Sequence, residues 1–341
     1  MADSVPPTVS VVVPNYRHEK YLPERLDSIL DQTFGDYEVI LLDDASPDGS
    51  VAVLERYAAR FAEVLGPDRV QTCFNTENSG SPFKQWNKGV ELARGEYVWI
   101  AESDDVAEPG LLEALVGVLD QSVGVALAYC DSRRMAAGGE LGDTMAKVHV
   151  DRVGGDWSQS VTIDGELFLS KYLSVGGMIP NASAVLFRRR AYHEAGGAAL
   201  KWRMCGDWAT WARLAGQGDV HFYAEPLNRW RRHPQTVRET IERGESRFVE
   251  VFGVLLELSQ KVSRTPEVRG RAYRRWSSQF HAYLRQPGSR LSLGAAWYCT
   301  RALSTLFPEH ATRSLSVMAW SKAFHVFPLL RALRRWGSVR V

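Results

Sequence analysis

The sequence predicts an α/β protein: a doubly wound, mostly parallel sheet followed by a C-terminal helical extension. Three observations carry this reading. Apolar or β-branched runs alternate with segments of helical periodicity over the first 130 residues. Polar turn-forming clusters follow the first, second and fourth of those runs, at the edge where such sheets bind ligands. From Gln235 onward the pattern turns helical and the charge changes sign.

Val9–Val13 is a continuous β-branched run, as expected of a strand buried on both faces, and Pro14-Asn15 ends it. Between Tyr21 and Gln32 the apolar residues Leu22, Leu26, Ile29 and Leu30 fall at helical spacing. Glu38–Leu42 reads as the second strand, cut off by Asp43-Asp44-Ala45-Ser46-Pro47-Asp48-Gly49, a run of turn formers that also caps a helix over Val51–Phe61. Val70–Phe74 is the third strand, and Asn78-Ser79-Gly80 turns into a helix ending at Leu92. Tyr97–Ile100 is the fourth strand, Pro109–Leu119 a helix and Val125–Tyr129 the fifth strand. Residues 131–180 carry less signal; Gly138-Gly139 and Gly154-Gly155 mark loops around an irregular hairpin. Ala182–Phe187 reads as a strand and Asp207–Ala215 as a helix with Trp208, Trp211 and Leu214 on one face. Pro266, Pro287, Pro308 and Pro328 break the helical remainder.

The 341 residues suit one large domain or a domain with an appendage, and 45% hydrophobic with 24% charged residues describes a globular chain. The net charge of +1 hides a split: 23 Lys+Arg against 33 Asp+Glu before residue 233, and 18 against 7 from there on. Cys73, Cys130, Cys205 and Cys299 are far apart, which disfavours a zinc-type pair and suits reduced, buried thiols. Met1–Pro7 lacks the basic start and apolar core of a secretory signal, and no stretch reaches the roughly 18–20 apolar residues of a membrane span. The expected location is therefore cytoplasmic.

The chemistry concentrates after the fourth strand. In Trp99-Ile100-Ala101-Glu102-Ser103-Asp104-Asp105, three carboxylates within four residues follow an apolar strand, a pattern suited to holding a divalent cation where a diphosphate can reach it. Each element of the pattern also has a plainer reading. Asp43–Ser46 can be only a capping turn, Glu102–Asp105 a solvated loop, Asp207 a helix N-cap and His233 a surface histidine before Pro234. Arg188-Arg189-Arg190 reads as a solvated charged run, and Trp208 and Trp211 as core.

The segments Val9–Tyr16, Ser28–Phe34, Glu38–Ser46, Asn78–Gly89, Gly95-Glu96-Tyr97, Glu102–Asp105, Gly206-Asp207-Trp208 and Arg231-Arg232-His233, in this order over residues 8–235, resemble a family 2 inverting glycosyltransferase of the GT-A fold. The resemblance implies a metal-dependent transfer of a sugar from a nucleoside-diphosphate sugar, UDP favoured, to a hydroxyl of a glycan or lipid-linked acceptor, in polysaccharide or glycoconjugate biosynthesis. It implies that Pro14 and Tyr16 line the base pocket and that Asp44, preceded by Asp43, accepts from the base N–H, with Gly80 in the same nucleotide site. Glu102-Ser103-Asp104 takes the place of the family's Asp-X-Asp motif: Asp104 binds Mn²⁺ or Mg²⁺, Glu102 faces the ribose or a metal-bound water, and Ser103 lies beside the nucleotide. Glu102 departs from the commoner Asp by one methylene. Asp207 falls at the catalytic base, and His233 where related enzymes place a histidine near diphosphate and metal. The implied catalytic domain covers 1–234, with a nucleotide half over 8–130 and an acceptor half over 131–234, leaving 235–341 as a basic helical extension.

Two rivals share the fold logic. A sugar nucleotidylyltransferase uses a Gly-rich loop after the first strand, where this chain has Pro14-Asn15-Tyr16-Arg17-His18. A non-catalytic nucleotide-sugar-binding or scaffold protein would lack the metal acid or the base, and both are present. The basic tail, with Trp276, Trp297, Trp320 and Trp336 among its arginines, reads either as a surface for anionic membrane or as a helical appendage with solvated arginines. No recognised nucleic-acid module accompanies the charge.

Overall fold

The computed structural model describes residues 5–233, 246–285 and 292–310. They form two compact units: one runs to Leu173 and resumes at Gly177, and the other comprises Ser174–Gly176 with the helices beyond residue 245.

The first unit is built on a ten-stranded sheet. Its strands are β1 (Val9–Asn15), β2 (Tyr37–Asp43), β3 (Val70–Phe74), β4 (Tyr97–Ile100), β5 (Val106–Ala107), β6 (Val125–Ala136), β7 (Leu141–Thr144), β8 (Val161–Ile163), β9 (Val185–Arg188) and β10 (Asp219–Arg232). The order is β3-β2-β1-β4-β9-β6-β10-β5, with β7 on β6 and β8 on β10. Strands β3, β2, β1 and β4 pair in parallel; β9 runs against both β4 and β6, which leaves β6, and β10 parallel to it, pointing the same way as the first four. Six strands thus share one direction, the five that the alternating pattern predicts and β10, and their C-terminal ends lie at one edge.

Every residue of β1 and β2 is buried, which is why those runs are apolar rather than alternating. β3, at the end of the strand order, is half-exposed and mixed in composition. The helix Pro82–Leu92 packs so closely on β1 that a Cβ on Gly89 would lie 2.2 Å from Val12 Cγ1; only glycine fits there. At the opposite edge from the ligand side, buried Glu38 accepts from Ser10 Oγ (2.7 Å), Arg94 N (2.8 Å) and Arg94 Nε (2.7 Å), and pins the turn into β4.

Several elements extend or correct the sequence reading. The capped helix runs over Ser50–Leu65, and Asp48 Oδ1 accepts from both Ser50 N and Ser50 Oγ. β6 continues past Tyr129 to Ala136 and folds back onto β7, the irregular hairpin expected after residue 130. The stretch Ala182–Ala184 is a 3₁₀ turn, and the strand begins only at Val185. β10 has no counterpart in the sequence reading. Its burial alternates imperfectly, and its register with β6 shifts on both sides of Pro226, so no clean period marks it. The run Arg188–Arg190 is not simply solvated: Arg188 donates to the carbonyls of Val125 and Leu119, and Arg189 Nε to Gly95 O, while Arg190 is exposed. Trp208 and Trp211 are core residues.

The second unit contains helices Ser246–Lys261, Pro266–Arg285 and Leu293–Leu306. Phe248 packs on Phe280 and Tyr283, with ring centroids 5.1 and 5.3 Å apart, and buried Trp276 donates to Val175 O at 2.7 Å. The helical remainder breaks before Pro266, which opens the next helix, as its missing N–H permits at the first turn. Trp297 is 54% exposed. Trp320, Trp336, Pro287 and Pro328 lie outside the described residues. No helix among the described residues is long and apolar enough to cross a membrane.

Candidate functional site

The loops after β1 and β2 are locked to each other. Arg17 and Ala45, one in each loop, have φ of 62° and 58°, a region that non-glycine residues enter only when their surroundings compel it. The compulsion is visible. Asp43, fully buried, accepts from Asn15 Nδ2 (2.7 Å), Ser46 N (2.8 Å) and Ser46 Oγ (2.7 Å), and Arg17 N donates to Ser46 Oγ at 2.9 Å. Asp43 therefore shapes the site from beneath. Pro14 is buried within β1, and Tyr16 is 41% exposed at the mouth of the same loop.

Asp44 is held differently. Its Oδ1 accepts from Asn75 Nδ2 (2.7 Å), Ser79 N (2.8 Å) and Gln85 Nε2 (2.8 Å), whereas Oδ2 accepts from Ser79 Oγ at 2.8 Å. A carboxylate oxygen offers about two lone-pair sites, so Oδ2 retains acceptor capacity. Gly80 follows at φ 77°, its N–H donating to Asn78 Oδ1 at 2.8 Å, with open space where a Cβ would stand.

The acidic loop after β4 sits above a buried arginine. Arg25, from the helix Leu22–Leu30, is fully buried; its Nε donates to Glu102 O at 2.9 Å, and its guanidinium lies 5.3 Å from the Trp99 ring centre. Burial pulls its pKa down to about 10 against the pull of Asp105, Asp104 and Glu102, so it stays charged at neutral pH and counterbalances them. Glu102 accepts from Trp86 Nε1 at 2.8 Å; burial, then Asp104, raises its pKa to about 8. Asp105 accepts from Arg231 N at 2.8 Å and is raised to about 7, again by burial and then by Asp104. For Asp104 burial also pushes upward, but His18 and His233 outweigh it and its pKa falls below the usual carboxylate value.

The antiparallel pairing of β10 with β5, Asn228 opposite Ala107 and Arg229 opposite Val106, carries the end of β10 past the acidic loop. Arg231 Nε accordingly donates to Asp104 O at 2.7 Å, its guanidinium pairs with Glu24, and His233 Nε2 lies 2.9 Å from Asp104 Oδ2. From the other side, His18 Nδ1 is 2.8 Å from Ser103 Oγ. Burial, outweighing Asp104, depresses the His18 pKa. One donor atom each from His18, Asp104 and His233 falls within 4.8 Å of the others. Two imidazole nitrogens and a carboxylate oxygen are a donor set that fits a divalent cation.

Asp207 stands inside the first turn of the helix Gly206–Ala215, half-buried, with Cys205 as the N-cap residue and its own Oδ1 accepting from Trp208 N at 2.7 Å. The start of that helix abuts the nucleotide half: a Cβ on Gly206 would lie 2.3 Å from the Phe83 ring, and Phe83 packs edge-on against Trp86, which holds Glu102.

The model of the family described as "Glycosyl transferase family 2" matches residues 10–193. This chain belongs to glycosyl transferase family 2. Among similar family 2 relatives, the glycosyltransferase GlyG of Streptococcus pneumoniae is 36% identical over 107 residues, 31% of this chain and 33% of that protein. The poly(ribitol-phosphate) beta-glucosyltransferase of Bacillus spizizenii is 37% identical over 99 residues, 28% of this chain and 15% of its own length. The matched region thus spans a third or less of either relative. Among solved structures, S. aureus TarS 1–349 in complex with UDP superposes with a TM-score of 0.65 at 16% identity, covering 92% of this chain and 87% of that one. The mannosyltransferase PcManGT of Pyrobaculum calidifontis, solved with GDP-Man and Mn2+, gives 0.54 at 17% identity, covering 97% and 84%. The GT-A-like fold of this family 2 chain follows from these likenesses together with its own mixed sheet.

Of the sequence candidates, the structure brings Glu102, Ser103, Asp104 and His233 into one cluster, and Asp44 and Gly80 into a second built on Ser79. Sequence reasoning overlooked His18, Arg25 and Trp86. A histidine in a polar loop has no distinguishing period, and the one sequence signal at Arg25 is its place on the apolar face of an amphipathic helix beside Leu22, Leu26 and Ile29.

Proposed function

We propose that the first unit is a metal-dependent inverting glycosyltransferase that moves a sugar from a nucleoside-diphosphate sugar, UDP favoured, to a hydroxyl of a glycan or lipid-linked acceptor. The observation that carries the reading is Asp104 at the C-terminal edge of the sheet, 2.9 Å from His233 Nε2 and flanked by His18. Asp104 and His233 would hold Mn²⁺ or Mg²⁺, and the ion when bound supplies charge for the departing diphosphate. Asp44 receives the base N–H on Oδ2, Tyr16 covers the base, and Pro14 and Gly80 shape the walls. Trp86 orients Glu102 toward the ribose. Asp207, held by the first turn of its helix, takes the acceptor proton as the hydroxyl attacks the anomeric carbon opposite the diphosphate. A single displacement needs one base and no covalent intermediate. The poly(ribitol-phosphate) transferases among the relatives favour a polymeric acceptor. The domain division goes with this: catalysis in 1–234, and in 235–341 a basic extension, helical over its described residues, that meets the inner face of an anionic membrane.

The test is a panel of nucleotide sugars scored for Mn²⁺-dependent release of nucleoside diphosphate, with Asp104→Asn beside the parent. One donor should be turned over by the parent and none by the variant. Nucleotide binding by the parent with no turnover of any donor, with candidate acceptors supplied, would favour a binding-only protein.

A further inference from the structure

We propose that His18 is a direct ligand of the divalent cation, completing a two-histidine, one-carboxylate set with Asp104 and His233 that favours Mn²⁺ over Mg²⁺. The inference rests on the metal-dependent reading of the site and goes beyond it, since that reading needs only Asp104 and His233.

Three observations support the assignment. The first is convergence: one nitrogen from each imidazole and one Asp104 oxygen lie within 4.8 Å of one another. Donors about 2.1 Å from a common ion lie about 3 Å apart when adjacent and about 4 Å when opposite. Small side-chain rotations therefore bring all three onto one cation. The second is orientation. Ser103 Oγ, 2.8 Å from Nδ1, fixes the ring, and a hydroxyl there that accepts from Nδ1–H leaves Nε2 as the lone-pair donor. The His18 ring also packs edge-on against His233, with centroids 5.3 Å apart, and on Tyr21 at 6.0 Å. The third is the backbone. Arg17, next to His18, is held at φ 62°, and Ser46 Oγ fixes that turn by accepting from Arg17 N at 2.9 Å.

The donor set also selects the metal. Mg²⁺ prefers oxygen ligands and gives up its waters reluctantly, whereas imidazole nitrogens suit first-row transition ions. A set of two imidazoles and one carboxylate therefore disfavours Mg²⁺ relative to Mn²⁺. Ser103 joins the site as the residue that orients His18, which gives the middle position of Glu102-Ser103-Asp104 a part of its own.

The experiment measures metal binding rather than turnover. Mn²⁺ is titrated into the full chain and into His18→Gln, His18→Asp and Asp104→Asn, alone and with UDP, and free Mn²⁺ is followed by electron paramagnetic resonance. Electron spin-echo modulation of the bound ion counts coordinated nitrogens, and thermal unfolding checks that each variant folds. The parent should show two directly bound nitrogens. His18→Gln should show one, with Mn²⁺ affinity weakened at least about tenfold and Mg²⁺ competition much less affected. His18→Asp should restore Mn²⁺ affinity and raise that of Mg²⁺, which a merely structural His18 would not do. Unchanged nitrogen count and affinity in His18→Gln, with Asp104→Asn losing the ion, would overturn the role of His18 and leave the metal site standing. Failure of the parent to bind Mn²⁺ under either condition would overturn both.

Discussion

Asp44→Asn separates the two jobs of one carboxylate. In the folded protein Oδ1 accepts three hydrogen bonds, from Asn75, Ser79 and Gln85, and Oδ2 accepts one from Ser79 Oγ. An asparagine whose carbonyl takes the Oδ1 position keeps all three of the first set. Its NH₂ then faces Ser79 Oγ, which can rotate and accept, and the nucleobase N–H, which cannot. The fold is nearly spared while an acceptor toward the base becomes a donor. A hydrogen bond to a charged partner contributes roughly 1.5–3 kcal/mol, so nucleotide affinity should fall about ten- to a hundredfold. Asp44→Ala makes the contrast. It orphans donors around a buried position, among them Gln85, at roughly 1–3 kcal/mol each, so it should lower stability as well as affinity. The assay is calorimetric titration of UDP and GDP into each variant with a parallel unfolding curve. If Asp44→Asn binds the preferred nucleotide as tightly as the parent, Oδ2 does not face the base and the pocket assignment is wrong.

Asp207→Asn should lower turnover by about 10²–10⁴ while leaving nucleotide affinity within a few fold, measured by donor turnover and titration together; parent-like turnover would remove Asp207 from the chemistry. His149 is 1% exposed against Trp157, and burial, then Arg152, pushes its pKa down to about 3. The unfolded chain binds a proton below about pH 6.5 that the folded protein refuses, so stability falls as pH drops from 6.5 toward 3, by up to about 1.4 kcal/mol per pH unit. His149→Phe should flatten that slope by about one proton in urea unfolding between pH 4 and 7, and an unaltered slope would contradict a buried neutral ring. Liposome co-sedimentation of the full chain should rise with anionic lipid and fall with salt. Equal, negligible binding to neutral and anionic vesicles at low salt would leave the basic extension as a packing element.

Local periodicity by itself determined the first half of the sheet. Val9–Val13, Glu38–Leu42, Val70–Phe74 and Tyr97–Ile100 are strands because each is bounded by turn formers and followed by a helical stripe, and each signal lies within a dozen residues. The acidic loop was legible for the same reason: carboxylates that end a buried strand have no place in a core. What only the tertiary structure decided came from long-range pairing. β10 lacks a period because Pro226 and three register shifts interrupt it, yet it is β10 that delivers His233 to Asp104 across 129 positions of sequence. Arg25 reads as an anomaly on an apolar face until the acidic loop is laid over it. His18 meets Ser103 and Asp104 only through the fold, 85 residues or more away. The reason is the same in each case. A strand or helix is specified by neighbours along the chain, whereas a site is specified by which loop ends the sheet register brings together.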